Sequence, residues 1–415
     1  MKKRTYYDPL HLEITLDGNK PEEKMVMELI DSEPFQRLRR IRQLGPAFLT
    51  FHGAESSRFT HSLGVFHLAR KAISRLYELD KSLQKHFSSL YIASLLHDLG
   101  HGPLSHTGEE IFGLKHELWT TRIINEFSPI RNIIESYNPK IIDNATKLIL
   151  EKNYSNKIIQ SLISSQLDCD RLDYLTRDSY STGMKYGLLD LERILSALTI
   201  SPDRNIAIQP KGIMAVEHYL VVRNLMYRSV YNHRINEICS WLLEQLIKNV
   251  RKFDPNKVWA DEIMRQWIWS PQSMNVETYL ANDDIRTTYH LQRWKDCSEK
   301  CVSELSKRFL NRVLPKAINI SFLSNENQLE CLAIARSLSS KMNIDPDILC
   351  GLRLQKIHSY HPYKEGLRIW DGSKLKALEE ESSLVKGLAS PAESAWLIYP
   401  KEVESKIKKE INKFI

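Results

Sequence analysis

Cysteine is scarce in this chain and scattered. Six thiols, at positions 169, 239, 297, 301, 331 and 350, are spread over 415 residues. That excludes a disulfide-stapled secreted scaffold and leaves reduced thiols as the expectation. Cys297 and Cys301 form one C-x3-C pair with no second pair of metal-ligand spacing, so a thiolate zinc site is not expected. Long apolar runs are missing too. No stretch of about 18 apolar residues occurs, which excludes a membrane-spanning helix. The basic start Met1-Lys2-Lys3-Arg4 is followed by Asp8 and Glu13 instead of an apolar core, so it does not read as a secretory signal. The expected setting is the cytoplasm, without a membrane partner. The 15 glycines and 16 prolines fall in no repeat and no low-complexity tract, which excludes solenoid arrays and disordered linkers. A basic stripe interleaved with aromatics is also missing, and that counts against a platform for single-stranded nucleic acid.

What is present is ordinary globular composition, 42% hydrophobic and 26% charged, enough for one large core domain and a smaller appendage. The net charge of +7 suits phosphate-bearing ligands without separating nucleotides from nucleic acid. The basic block from Arg37 to Arg42 offers phosphate ligands or a solvated helix face. An extended lead-in over 1–20 gives way to a helix expected from about Lys20 to Leu44. Helical periodicity then dominates from Thr60 to about Trp241, with Ile206-Ala207-Ile208 the strand-like interruption. Beyond about 312 the texture changes. Ala317–Ile320, Leu352–Leu354, Leu367–Trp370 before the turn Asp371-Gly372, and Ala395–Tyr399 read as strands, with a last helix over Lys401–Phe414. The fold expected is mostly α, with a helical core and a smaller α+β C-terminal lobe.

Three segments carry chemistry. In Leu95-Leu96-His97-Asp98-Leu99-Gly100-His101-Gly102 an apolar run ends in an imidazole beside a carboxylate, and adjacent residues share a ligand only at a helix end. Gly100 and Gly102 are expected to supply that end. Upstream, Thr60 is placed to cap a helix that begins at His61. Downstream, Asp170, Tyr174 and Asp178 fall at i, i+4 and i+8 on one helical face, with Arg171 beside them. A lone His-Asp pair is an ordinary helix terminus. Two imidazoles and two carboxylates from three segments make a mixed N/O set for one divalent cation, with Mn²⁺, Fe²⁺, Mg²⁺, Ni²⁺ and Zn²⁺ all compatible.

The pattern His61…His97-Asp98…Asp170 resembles the signature of the HD-domain phosphohydrolases. Further blocks extend the likeness over about 8–284 to the deoxynucleoside triphosphate triphosphohydrolase branch: Asp8-Pro9-Leu10-His11, Phe35–Arg39, Gln43-Leu44-Gly45, Arg58–Val65, His97–His106 and Asp168–Tyr174. The resemblance implies an HD-type helical core, with a catalytic domain over 1–310 (metal core about 35–240) and a lobe over 311–415 for oligomerisation or regulation. It also implies that no further domain precedes a chain that begins where the catalytic part begins. The implied reaction converts a dNTP and water into a deoxynucleoside and triphosphate. His61, His97, Asp98 and Asp170 would hold the cation, and additional Mg²⁺ would accompany the nucleotide. His106 would act as general acid with Glu109 and His116, although the family usually has aspartate where Glu109 stands. His101 and Arg58 would contact phosphate oxygens. Asp168 would belong to the substrate site, Arg171 would stand in for the family's lysine near the β- and γ-phosphates, and Arg223 would bind the γ-phosphate. Gln43, Tyr174 and Asp178 would bind the ribose 3′-hydroxyl, while Leu44 and Tyr231 would crowd the 2′ position. Asn232 replaces a glutamine of the human member, so base preference, dGTP included, does not carry over.

Regulation is implied as well. Arg4, Asp31, Gln36 and Arg39 match a guanine-recognising activator site, the last three expected on one helical face. Arg193, Lys211 and Arg234 partly match a second activator pocket, where Gln209 and Ala215 depart from the pattern. A homodimer or homotetramer activated by a nucleotide follows, serving dNTP-pool control or phage defence. Two alternatives stay open: an HD-type nucleotidase or phosphodiesterase acting on another nucleotide, and a binding protein for nucleotides or single-stranded nucleic acid.

Overall fold

A computed structural model describes residues 3–357, 366–388 and 392–414. The chain opens with an antiparallel hairpin, β1 (Arg4–Asp8) and β2 (Leu12–Leu16). The single helix expected over 20–44 is instead broken. Helix α1 (Pro21–Ile30) stops at Asp31, and Ser32 restarts the chain as α2 (Glu33–Arg37) with Pro34 in its first turn. A short 3₁₀ turn over Leu38–Arg40 then gives way to extended backbone at Ile41. The periodic pattern spanned the break because the buried apolar residues on both sides enter one core.

The centre is α3 (Arg58–Leu79) packed against α4 (Phe87–Leu96). From Ser89 to Leu96 every residue of α4 is buried, as a helix apolar on all sides must be. Helix α3 begins before His61: Ser57 stands at its N-cap position, and the Thr60 hydroxyl donates to the Ser57 carbonyl rather than capping. Helices α5 (Ser105–Phe112), α6 (His116–Glu126), α7 (Ser128–Tyr137), α8 (Lys140–Thr146) and α9 (Lys157–Ile163) lead to α10 (Cys169–Thr182), which lies along α3. After α11 (Leu191–Ala197), the expected strand at 206–208 is present as β4 (Ile206–Ile208), paired antiparallel with β3 (Leu198–Ile200). Helices α12 (Ile213–Met226) and α13 (Arg234–Lys252) follow, and four more helices, α14 to α17, occupy 262–310.

The C-terminal segment makes two attachments. Strand β5 (Lys316–Asn319) and β6 (Gly351–Ile357) flank β9 (Ala392–Tyr399) in an antiparallel sheet. Helix α18 (Asn325–Ser340) and the last helix (Glu404–Ile411) cover that sheet over a small core of their own. Between them, β7 (Arg368–Trp370) and β8 (Leu375–Ala377) form the expected hairpin, with Gly372 at φ +99° in its turn. That hairpin leaves the C-terminal sheet and extends β3–β4, pairing Ile208 with Ile369 in parallel. Ile369, Leu378 and Val385 accordingly belong to the main core.

Candidate active site

The ends of α3, α4 and α10 bring His61, His97, Asp98 and Asp170 together. His61 Nε2 lies 3.0 Å from Asp170 Oδ1 and 3.6 Å from Asp98 Oδ2. His97 Nε2 is 3.4 Å from Asp98 Oδ1 and 3.7 Å from Asp170 Oδ1. Both imidazoles are oriented from behind. His97 Nδ1 donates to the Ser94 carbonyl at 2.9 Å, and His61 Nδ1 donates to Asp173 Oδ2 at 2.8 Å. Each Nε2 is therefore buried, turned inward and without a hydrogen-bond partner. Orphaned buried nitrogens beside two carboxylates, with second-shell acceptors fixing the tautomer, are what a divalent-cation site requires. The residues fit the ion.

Electrostatics agree. Burial opposes a charge on His61, yet the carboxylates of Asp170, Asp173 and Asp98 outweigh it and push the imidazole up to about 10. Burial would likewise raise Asp170, but His61 and His97 hold it below the usual carboxylate range. Asp98 is buried too, and Arg58, His97 and His101 keep it ionised.

Local structure explains the convergence. The α4 helix ends at His97, but Gly100 and Gly102 do not serve as left-handed caps as expected; Leu104, at φ +65°, takes that conformation instead. Gly100 permits a close crossing, since a Cβ there would lie 2.2 Å from the Thr120 nitrogen. Thr120 Oγ1 then donates to the His97 carbonyl and accepts from the Gly100 amide. Gly64 does the same for α10, where a Cβ would stand 1.9 Å from Asp173 Oδ1.

Beside the quartet, at the start of α5 and α6, lies a second histidine cluster. Glu109 Oε1 accepts from His106 Nδ1 at 2.9 Å and from His116 Nδ1 at 2.8 Å. The longer glutamate thus spans both imidazoles where the family usually has aspartate. Its carboxyl lies well below the usual range because those two bonds outweigh its burial. The His101 ring stacks on His116 with centroids 3.9 Å apart, and its Nε2 is 3.4 Å from Asp98 Oδ1. Burial, Arg58 and His116 hold His101 neutral, well below the ordinary histidine value. His106 is the exposed member, its side chain 73% accessible.

His97, Asp98 and Asp170 of the first cluster and His101, His106 and His116 of the second line one cavity of about 240 Å³, together with Gln43, Arg58, Asp168, Arg171 and Tyr174. Two of these are otherwise engaged. Arg58, expected to fork onto phosphate, donates to Asp98, to Ser105 Oγ and to the Gln43 carbonyl. Asp168 caps α10, accepting from the Arg171 amide, the Ser165 amide and the Arg171 guanidinium. Those three bonds tie Asp168 to the start of α10 and to Arg171.

On the sugar side, Gln43 Oε1 is buried without a partner. Asp178 Oδ2 accepts from the Tyr231 hydroxyl at 2.9 Å, while Asp178 Oδ1 has no partner. The Tyr174 and Tyr231 rings meet edge to face at 5.8 Å. Leu44 packs against the core nearby. Arg223 is 3% exposed and its Nη1 donates to Gln166 Oε1, so the expected γ-phosphate ligand stands behind the cavity wall. Asn232 ends a π-helical turn over Tyr227–Tyr231 and does not line the cavity.

The activator residues divide. Arg4 Nη1 bonds both Asp31 oxygens at 2.8 Å, and Arg39 Nε donates to Gln36 Oε1 at 2.8 Å. They do not share one helical face, because the break at Asp31-Ser32 puts Asp31 beyond α1, Gln36 on α2 and Arg39 in the 3₁₀ turn. Arg193 and Lys211 sit on neighbouring elements, α11 and the turn Pro210–Gly212, whereas Arg234 opens α13 and lines another pocket. Three arginines of the Arg37–Arg42 block bond to the protein itself. Buried Arg37 donates to the His101 and Asn282 carbonyls, and Arg40 and Arg42 pair with Asp283 and Asp284.

Sequence reasoning quoted Asp173 and His11 within motifs but gave them no role. The structure shows a relay: His11 Nε2 donates to Asp173 Oδ1 at 2.6 Å, and Arg177 bridges Asp173 to Asp8. The hairpin thereby reaches the back of His61. Asp173 falls three residues after Asp170, and that recurrence of acid on one helix was the available signal.

Known proteins are similar to this chain in sequence and in fold. The model of the HD domain matches residues 58–178, and that of the HD associated region matches 189–415. The protein YwfO of Bacillus subtilis is 32% identical over 413 residues, covering 97% of this chain and 93% of its own. The Dictyostelium discoideum homolog of the deoxynucleoside triphosphate triphosphohydrolase SAMHD1 is 30% identical over 243 residues, 55% of this chain and 47% of that protein. The chain thus spans about half the length of that relative. In fold, a phosphohydrolase from Bacteroides thetaiotaomicron superposes with a TM-score of 0.85 at 24% identity, covering 96% of this chain and 100% of that one. A hypothetical protein from Aquifex aeolicus gives 0.78 at 26%, covering 99% and 100%. No helix among the described residues is long and apolar enough to cross a membrane.

Proposed function

As this chain belongs to the HD-domain phosphohydrolases of the dNTPase-like branch, a family of metal-dependent hydrolases, we propose that it hydrolyses deoxynucleoside triphosphates to deoxynucleoside and triphosphate. One observation carries the reading. His97, Asp98 and Asp170 of the cation quartet and the imidazoles of His106 and His116, joined through Glu109, line a single cavity with Gln43 and Tyr174. His61, His97, Asp98 and Asp170 would hold a divalent cation, which would supply Lewis-acid polarisation of a phosphoryl oxygen and activation of water. Water attacks the α-phosphorus, the bond from phosphorus to O5′ breaks, and the leaving oxygen takes a proton from His106. Glu109 accepts from His106 Nδ1 and so fixes the tautomer and orientation of the ring for the transfer. Arg58, locked against Asp98, keeps positive charge beside the reacting phosphate, while Arg171 faces the distal ones. Asp178 and Gln43 offer unpaired oxygens toward a 3′-hydroxyl. Tyr231, already donating to Asp178, fills the 2′ side with a ring that offers a 2′-hydroxyl nothing.

The reading extends to assembly. The paired residues Arg4–Asp31 and Gln36–Arg39 face solvent together and suit a purine nucleotide that would join subunits of a homodimer or homotetramer. Residues 311–415 would then be the lobe that serves assembly. The decisive experiment is chromatography of products from each dNTP and NTP, with Mg²⁺ or Mn²⁺, alone and in nucleotide pairs. Deoxynucleoside and intact triphosphate are expected. Orthophosphate or diphosphate as the first product would replace this reading with a nucleotidase.

A further inference from the structure

The cavity that holds the catalytic groups is too small for the substrate proposed. Ligand sites commonly enclose roughly 300–1,000 Å³, and this one encloses about 240 Å³. A nucleoside triphosphate must therefore extend beyond it. The space it enters is visible. A cleft of about 940 Å³ adjoins the cavity, and Lys152, Ser164 and Arg171 border both.

The cleft has a chemical sign. Four cationic side chains line it, Lys152, Lys157, Arg171 and Arg368, against one carboxylate, Asp203, which is paired with Arg368 at 2.8 Å. Arg171 grips Asp168 from the catalytic side, and Lys152 lies 3.8 Å from Glu117. Lys157, in the first turn of α9, is exposed and has no ion pair among the described residues. Buried just behind, the Arg223 Nε has no partner, and its Nη1 holds Gln166, another lining residue. The sugar-binding groups Gln43 and Tyr174 lie in the catalytic cavity and not in the cleft. The end of the nucleotide that overruns the cavity is thus the phosphate end.

Among the described residues, the cleft continues from Arg171 past Lys157 to Asp203 and Arg368, and its volume of about 940 Å³ exceeds that of the catalytic cavity. We infer that it is a tail subsite for phosphate chains longer than triphosphate, so that deoxynucleoside 5′-tetraphosphates are substrates. This rests on the triphosphohydrolase reading. Water would attack the α-phosphorus, O5′ would leave with a proton, and the tetraphosphate would depart as one unbroken chain past Arg171 and Lys157.

The test compares a deoxynucleoside 5′-triphosphate with its 5′-tetraphosphate in wild type and in Lys157→Glu, with circular dichroism to confirm that the variant folds. The expected result is release of intact tetraphosphate with kcat/KM at least equal to that for the triphosphate. Lys157→Glu should cut the tetraphosphate value about tenfold through KM, the loss of one charge-assisted contact, and leave the triphosphate value within about twofold. Hydrolysis of triphosphate without tetraphosphate would overturn the tail subsite alone. So would an equal loss for both substrates in the variant. Failure of wild type on both substrates would overturn the underlying reading and this inference with it.

Discussion

The two histidine clusters of the site use the same side chain for opposite ends. Around His61 and His97 the neighbours are carboxylates, and the imidazoles are drawn toward positive charge. Around His101 the neighbours include Arg58 and His116, and the imidazole is driven neutral. The first group has the electrostatics of a cation site before any cation binds. The second keeps its one carboxylate, Glu109, ionised and leaves an exposed histidine, His106, at the rim. Burial presses on His61, His97 and His101 alike, so the partners decide which way each imidazole goes.

Deleting a member of each cluster should separate the roles. Asp170→Ala removes an inward carboxylate and should abolish both bound metal, read by elemental analysis, and turnover. His106→Ala should keep metal and nucleotide while kcat falls by about 10²–10⁴, the range of a general acid. Unchanged metal in the first variant, or near-normal kcat in the second, would erase the distinction. A subtler break lies behind the cation site. Asp173→Asn keeps the shape but leaves His61 Nδ1, His11 and Arg177 without their shared anion. Metal affinity should fall by about 10- to 100-fold, as second-shell losses do. An unaltered dissociation constant would show that His61 needs no support from the hairpin.

How much of this was legible depended on distance along the chain. The His97-Asp98 pair and the i, i+4, i+8 stripe on α10 are local patterns, and a helix turns them directly into geometry. The relay from His11 to Asp173 spans 162 residues and leaves no periodic trace. Motif likeness reports which residues cluster, but not that Arg58 already donates to Asp98, Ser105 and the Gln43 carbonyl or that Asp168 already accepts from Ser165 and Arg171. The break at Asp31-Ser32 was hidden for a related reason: Phe35 and Leu38 continue the apolar face into the same core after the helix has stopped. Strand β7 was found from its alternation and turn, but its choice of β4 as partner is a tertiary decision.

The smallest effect concerns two aspartates on one helix face. Asp170 is held down by two imidazoles, whereas Asp178, two turns on, is pushed up to about 7 by burial, which the Tyr231 bond only partly offsets. A carboxyl raised above its ordinary value of 3.8 binds its proton more tightly folded than unfolded. Below about pH 4 both states are protonated and burial costs nothing through this group. As pH rises toward 7 the unfolded chain ionises first, and stability is lost until the folded carboxyl ionises as well. The whole window is worth roughly 4 kcal/mol at most. Asp178→Asn cannot ionise and should lack this slope. Urea midpoints for both proteins between pH 4.5 and 7.5 should therefore diverge, with the variant gaining on wild type as pH rises. Parallel curves would mean that Asp178 is compensated as fully as Asp170, and the contrast between partnered and unpartnered acids would fail on its own helix.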